Sequence, residues 1–285
     1  MKFLKIKLGP GFLFLIIMIG FSACKARVRI LKSPPHYNFG EVIEYKMDLK
    51  LKEISGLVWD KDRHNFIANN DEKAKLFFLE KEVAGPFAAE IEFGAKGDYE
   101  DVAVADSNIY ILRSDGVVTK FIQESNGKAY GIEYKLALSG SKDFEAMYYD
   151  DTRKALILIC KNCGMDDKQS ISAFAFYTDS ARFDENPVYT INADEIKKLE
   201  PVKSSKFQPS AAAIHPVLKK LFIISSASNQ LVIADLDGNP ESVYQLSKKL
   251  FPQPEGITFK SSGDMYISNE AVTSKSTILK FKYIL

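Results

Sequence analysis

Residues 98–105 read Asp-Tyr-Glu-Asp-Val-Ala-Val-Ala, and the same pattern returns four times in the chain. It stands as Glu-Ile-Ser-Gly-Leu-Val-Trp-Asp at 53–60 and as Asp-Phe-Glu-Ala-Met-Tyr-Tyr-Asp at 143–150. It stands again as Gln-Pro-Ser-Ala-Ala-Ala-Ile-His at 208–215 and as Gln-Pro-Glu-Gly-Ile-Thr-Phe-Lys at 253–260. Each copy opens on a polar residue, places Ser or Glu third, and closes in a strand-like hydrophobic run. Successive copies start 45, 45, 65 and 45 residues apart. A period near 45 is the length of one four-stranded propeller blade.

Short β-rich runs separated by polar turns follow each copy, as blades require. Only two such runs follow the fifth copy, one strand short of a blade, and residues 42–51 (VIEYKMDLKL) offer a spare strand ahead of the first copy. The expected fold is therefore all-β, a five-bladed β-propeller over residues 42–285. Its last blade is completed by the N-terminal strand, so that no sheet edge on the ring is left open. A six-bladed ring would need a further blade inside 150–207, which is crowded. That interval also holds Asn-Ala-Asp-Glu-Ile-Lys-Lys-Leu-Glu-Pro at 192–201, a short helix with Asn192 as N-cap.

The 285 residues are 46% hydrophobic and 26% charged, with 38 basic against 37 acidic side chains. That is globular composition. The near-zero net charge argues against a nucleic-acid partner, which calls for a basic surface. Lys2, Lys5 and Lys7 precede an apolar run from Phe12 to Phe21, too short to span a bilayer but suited to a secretory signal. Ser22, Ala23 and Cys24 follow it, and Phe-Ser-Ala-Cys resembles a bacterial lipobox, in which the cysteine is lipidated and becomes the mature N-terminus. The expectation is a lipoprotein signal at 1–23, lipidation at Cys24, a tether over 24–41, and a monomer anchored to a membrane of the cell envelope. Lys25 does not supply the acidic retention signal of an inner-membrane lipoprotein, which favours an outer membrane.

Familiar catalytic motifs are absent: no Gly-rich phosphate loop, no G-x-S-x-G and no H-E-x-x-H. His36, His64 and His215 are scattered and read as structural. Cys160 and Cys163 end a strand rather than open a helix, so a local disulfide or two thiols is favoured over a redox centre.

The repeat itself is the better candidate. The start of each blade's first strand and the end of its second lie at the same end of the sheet. If first strands line the channel, their polar heads converge at one mouth. Glu53, Asp98, Glu100, Asp143, Glu145, Glu255, Asn269 and Glu270 are the first candidates for a ligand or metal there. Asn70, Asp71, Arg113 and Lys161 are secondary ones. Such oxygen donors suit a hard cation such as Ca2+, which takes six to eight of them. The alternative is that these polar heads bond the backbone of the next blade and lock the ring. Trp59, Tyr99, Phe144, Tyr148 and Phe259 recur within the motif as packing between blades, or as a stacking platform for a sugar or base.

The motifs E-x-S-G-L, D-Y-E-D-V-A, D-F-E-A-M and Q-P-E-G-I-T-F resemble those of the SdiA-regulated family of bacterial envelope propellers, over roughly residues 45–285. More loosely they are similar to phytase-like esterases, gluconolactonases and strictosidine-synthase relatives. The resemblance implies a propeller in the cell envelope. Gluconolactonase-type enzymes hold a divalent metal through Glu, Asn and Asp, to which Glu255, Asn269 and Glu270 are chemically similar. The expected function is envelope binding or scaffolding, with a cation or small polar ligand at the mouth. The rivals are a metal-dependent phosphoesterase- or lactonase-like hydrolase, with Glu145 or Glu255 as ligand or base, and a protein-interaction module without a channel site.

Overall fold

The computed structural model describes residues 32–80, 83, 87–199, 206–272 and 275–285. The expected signal and Cys24 lie outside these residues. Among the described residues no helix is long and apolar enough to cross a membrane.

Five antiparallel sheets form five blades. The innermost strands are Ile54–Asp60, Tyr99–Ala105, Phe144–Asp150, Ala211–Ile214 and Pro254–Phe259, in blades 1 to 5. Each inner strand neighbours the inner strands of the adjacent blades, and that of blade 5 returns to that of blade 1. The ring closes as the sequence requires. Val42–Lys46 pairs antiparallel with Thr277–Phe281, from Val42 opposite Phe281 to Lys46 opposite Thr277, and becomes the outer strand of blade 5.

Blade 3 absorbs the long interval without a sixth blade. Its third strand, Ser170–Tyr177, pairs with Arg182–Phe183 at one end and with Tyr189–Asn192 at the other. The helix Ala193–Leu199 follows, and the Asn192 side chain accepts from the Asp194 amide at 2.9 Å and the Glu195 amide at 3.2 Å. That is the expected N-cap.

Near-continuous apolar strands such as Leu221–Ser225 have a simple cause. Each blade is covered on both faces by its neighbours, so both alternating sets of side chains are buried. Leu221 and Ile223 enter the cluster between blades 3 and 4, while Phe222 and Ile224 enter the cluster between blades 4 and 5. Among the described residues there are five such clusters, one at each junction. Tyr99, Phe144 and Tyr148 are buried in them, as packing between blades requires.

Of the stretch expected as a tether, the described part is docked. The Tyr37 side chain is buried, its hydroxyl donating to the Gly263 carbonyl at 2.6 Å, and Phe39 packs on Phe251 and Phe281 with ring centroids 5.2 and 5.0 Å away.

Candidate functional site

The repeated motif does something its alternation does not announce. In blades 2, 3 and 5 the inner strand slips register by one residue, leaving Glu100, Glu145 and Glu255 without a partner on the second strand. In blade 1 the slip spans Ser55 and Gly56. A β-bulge re-aims the side chain it carries. All four copies aim the third motif residue, Ser55, Glu100, Glu145 or Glu255, into one cavity of about 250 Å3 at the channel mouth.

The ends of the second strands reach the same cavity by a second repeated device. The amides of Asp71, Ser114, Lys161 and Glu270 donate to the carbonyls of Glu53, Asp98, Asp143 and Gln253 at 3.2, 2.9, 2.7 and 2.9 Å. These bonds tie each second-strand end to its motif head. The cavity is thereby walled by six carboxylates, from Glu53, Asp71, Glu100, Glu145, Glu255 and Glu270, and one amine, from Lys161. Gln253, Ser226 and Ser55 supply further oxygens and amide donors.

Lys161 is paired with Glu145, and Gln253 donates its side-chain amide to Glu270. Glu53 has Lys52 Nζ at 3.5 Å, while Glu100, Glu255 and Asp71 are short of counter-charge. Burial pushes Glu100 up to about 8, the hydrogen-bonded Asp98 carboxyl adds to the rise, and Lys161 opposes it. Burial likewise raises Glu255 to about 7, against Lys161 and the Ser226 hydroxyl, with Glu270 adding repulsion. Asp71 rises to about 6, mainly by burial. Asp143 and Glu270 are also raised, again mainly by burial.

The other expected residues do different work. Asp98 and Asp143 do not line the cavity; Asp98 hydrogen-bonds Glu100 and accepts the Ser114 hydroxyl at 2.6 Å. Arg113 is turned away by the Asp115 and Glu133 carboxylates, at 2.9 and 3.0 Å. Asn70 caps its own turn, accepting the Lys73 amide at 3.1 Å. Asn269 is buried with its amide donating to Thr277 Oγ1 at 3.1 Å, and it does not line the cavity that Glu255 and Glu270 share.

Ring locking is real, but the short side chains and the fourth motif position perform it. Ser55 donates to the Glu100 carbonyl at 2.5 Å, Ser210 to the Pro254 carbonyl at 2.9 Å, and Ser268 to the Ser55 carbonyl at 3.0 Å. The buried Asp101 carboxylate accepts the Met147 amide of the next blade at 2.7 Å.

Cys160 and Cys163 form a disulfide, Cα atoms 5.9 Å apart, which closes the turn that carries Lys161. Reading the sequence as three isolated features (a cysteine pair, a lysine, a glutamate) missed that link. The adjacency of Cys160 to Lys161 was the available signal.

Comparisons with known proteins agree with this architecture. The chain resembles glutaminyl cyclase of Myxococcus xanthus with a TM-score of 0.57 at 14% identity, over 85% of this chain and 95% of that one. It resembles a chain of the nidogen/laminin complex with a TM-score of 0.50 at 11% identity, over 78% of this chain and 74% of that one. The XC5397 gluconolactonase of Xanthomonas campestris follows with a TM-score of 0.48 at 10% identity, over 89% of each chain. No curated protein sequence matches. At such identities the likeness is one of fold. A family model does match, the one described as SdiA-regulated, over residues 36–272, from the docked arm through the second strand of blade 5; the chain belongs to the SdiA-regulated family.

Proposed function

We propose that the chain is an exported lipoprotein, anchored in the cell envelope through Cys24, whose acidic channel mouth binds a hard divalent cation, Ca2+ first. The observation that carries this reading is the crowding of six carboxylates around one paired ammonium, with Glu100, Glu255 and Asp71 driven toward their protonated forms. Carboxylates held close together repel unless protons or a cation intervene. Calcium accepts six to eight oxygens, a number this wall can meet. Size favours an ion and its waters over a metabolite. The cavity of about 250 Å3 falls below the range of roughly 300–1,000 Å3 typical of small-molecule sites, which are also mostly apolar.

The test is thermal unfolding of the full chain in detergent, stripped with chelator and then titrated with calcium or magnesium. A ligand of the folded state alone adds RT ln(1 + [L]/Kd), about 2.7 kcal/mol at 100 times Kd. That corresponds to a midpoint rise of several degrees. Glu100→Gln and Glu255→Gln remove the rise. A midpoint that ignores both metals refutes the reading. Cys24→Ser releases the chain from the membrane fraction if the anchor is correct.

One observation favours a second reading, hydrolysis of a lactone or phosphate ester with a bound cation supplying the activated water. Glu255, near 7 and within reach of the Lys161 charge, is poised to take up and return a proton. Here Glu255→Asp abolishes turnover and leaves the fold intact.

A further inference from the structure

The channel has a second mouth of opposite character. The seventh motif residue is Trp59, Val104, Tyr149, Ile214 or Phe259 in blades 1 to 5, and all five line the channel cavity of about 310 Å3. Three of the five are aromatic. Trp59, Tyr149 and Phe259 continue into a further cavity of about 440 Å3 where the channel opens. Its volume lies within the small-molecule range.

These rings are held in place before any ligand arrives. Trp59 is half-buried, with the Phe66 ring centroid and Lys260 Nζ each 4.8 Å from its own centroid. Tyr149 donates its hydroxyl to Asp106, 3.2 and 3.3 Å from the two carboxylate oxygens. The rim around the aromatics is polar. Asp62 accepts the Ser107 hydroxyl at 2.9 Å, Asp151 meets Lys154 at 2.6 Å, and Lys61 adds one cation.

Aromatic walls with a rim of oriented carboxylates match a ligand that is apolar on its faces and hydroxylated at its edges. A pyranose ring has that form: its C–H faces lie against aromatic π-surfaces, and its hydroxyls donate to carboxylates. The three carboxylates are met by Lys61, Lys154 and Lys260, so the rim holds no excess of positive charge to draw in phosphorylated sugars or nucleotides, and the nucleobase alternative is the weaker one. We propose that this mouth binds a neutral saccharide, at a site separate from the acidic mouth and independent of any cation there.

Trp59 is the sole tryptophan of the chain, so its emission reports on this wall. The full chain in detergent, with chelator present, is titrated with cellobiose, maltose and chitobiose, and in parallel with tetramethylammonium and glucose 6-phosphate. The expected result is a saturable emission change with at least one neutral disaccharide at a Kd in the millimolar range, and none with the charged probes. Tyr149→Ala and Asp62→Asn each weaken it about tenfold or more; Asp62→Asn alone is read if the larger truncation unfolds the protein. No response to any neutral disaccharide up to about 50 mM overturns the proposal. So does a response confined to tetramethylammonium, which would make the mouth a cation–π site instead.

Discussion

The hydroxyl of Tyr37 lies 2.7 Å from Nε2 of His215 and joins the N-terminal arm to blade 4. The proton assignment follows from the neighbours. The amides of Val217 and Leu218 donate to His215 Nδ1 at 3.1 and 3.0 Å, so the ring proton sits on Nε2 and is given to Tyr37. Tyr37 in turn donates to Gly263. Tyr37→Phe strands the buried imidazole N–H and the Gly263 carbonyl. The expected loss is about 1–3 kcal/mol of stability, read as a lower urea midpoint with an unchanged m-value.

The two titrating regions oppose each other in pH. Burial holds His215 down at about 4, from an ordinary 6.5. The unfolded chain therefore binds the extra proton first, and this stability is complete above pH 6.5 and lost as pH falls toward 4. Glu100 and Glu255 run the other way. Their folded forms hold protons up to about 8 and 7, above the unfolded value of 4.5, so their stability is present at low pH and lost as pH rises through those values. Between pH 6.5 and 8.5 His215 is silent. The metal-free protein is expected to lose several degrees of midpoint across that window, and Glu100→Gln flattens the slope. A flat profile in the unsubstituted chain contradicts the assignment.

The disulfide closes a very short loop, from Cys160 to Cys163. A chain-entropy estimate for four residues gives about 2 kcal/mol. Cys160→Ser with Cys163→Ser is expected to lower stability by about that amount while keeping the far-UV circular dichroism of the ring. Because Cys160 precedes Lys161, the double variant also loosens the amine that balances Glu145. Its calcium midpoint shift is expected to differ from that of the unsubstituted chain, which differential scanning fluorimetry resolves.

Gly56 of blade 1 lies directly against blade 2. A Cβ there would stand 2.6 Å from both Asn69 Oδ1 and the Val102 amide nitrogen. Neither can retreat, since both lie in the packed ring. Gly56→Ala is expected to cost about 1–3 kcal/mol or more by overpacking. Gly127→Ala, with nothing within 4 Å of its Cβ, serves as the comparison for strain alone, its φ being +87°. Chemical denaturation of both variants separates crowding from backbone conformation.

Much of this was legible in the sequence because repetition averages out local ambiguity. Five copies, 45 residues apart in three of four intervals, pointed to the blade count, the closing strand and the mouth toward which Glu100, Glu145 and Glu255 point. Period-two alternation could not show the bulge that aims them, since a register slip leaves no mark on composition. Arg113 was expected at the mouth, and the sequence held the reason it is not there: Asp115, two residues on, sits across the same turn. Tyr37 and His215 stand 178 residues apart, and no period links them. The far mouth was visible only in part. Trp59 and Phe259 stood out as recurring aromatics, but Tyr149, at the equivalent place, was overlooked beside the buried Tyr148.

The strand Val42–Lys46 is among the first parts of the ring to be synthesised, and its partner Thr277–Phe281 among the last. Until the ribosome has passed residue 281 the early strand has no edge to join, and blade 5 cannot assemble. The two must then meet across nearly the whole domain, a closure whose entropic cost rises only with the logarithm of the intervening length. Blade 5 therefore stays incomplete until almost the whole chain has been made, and the ring is closed by its last strand.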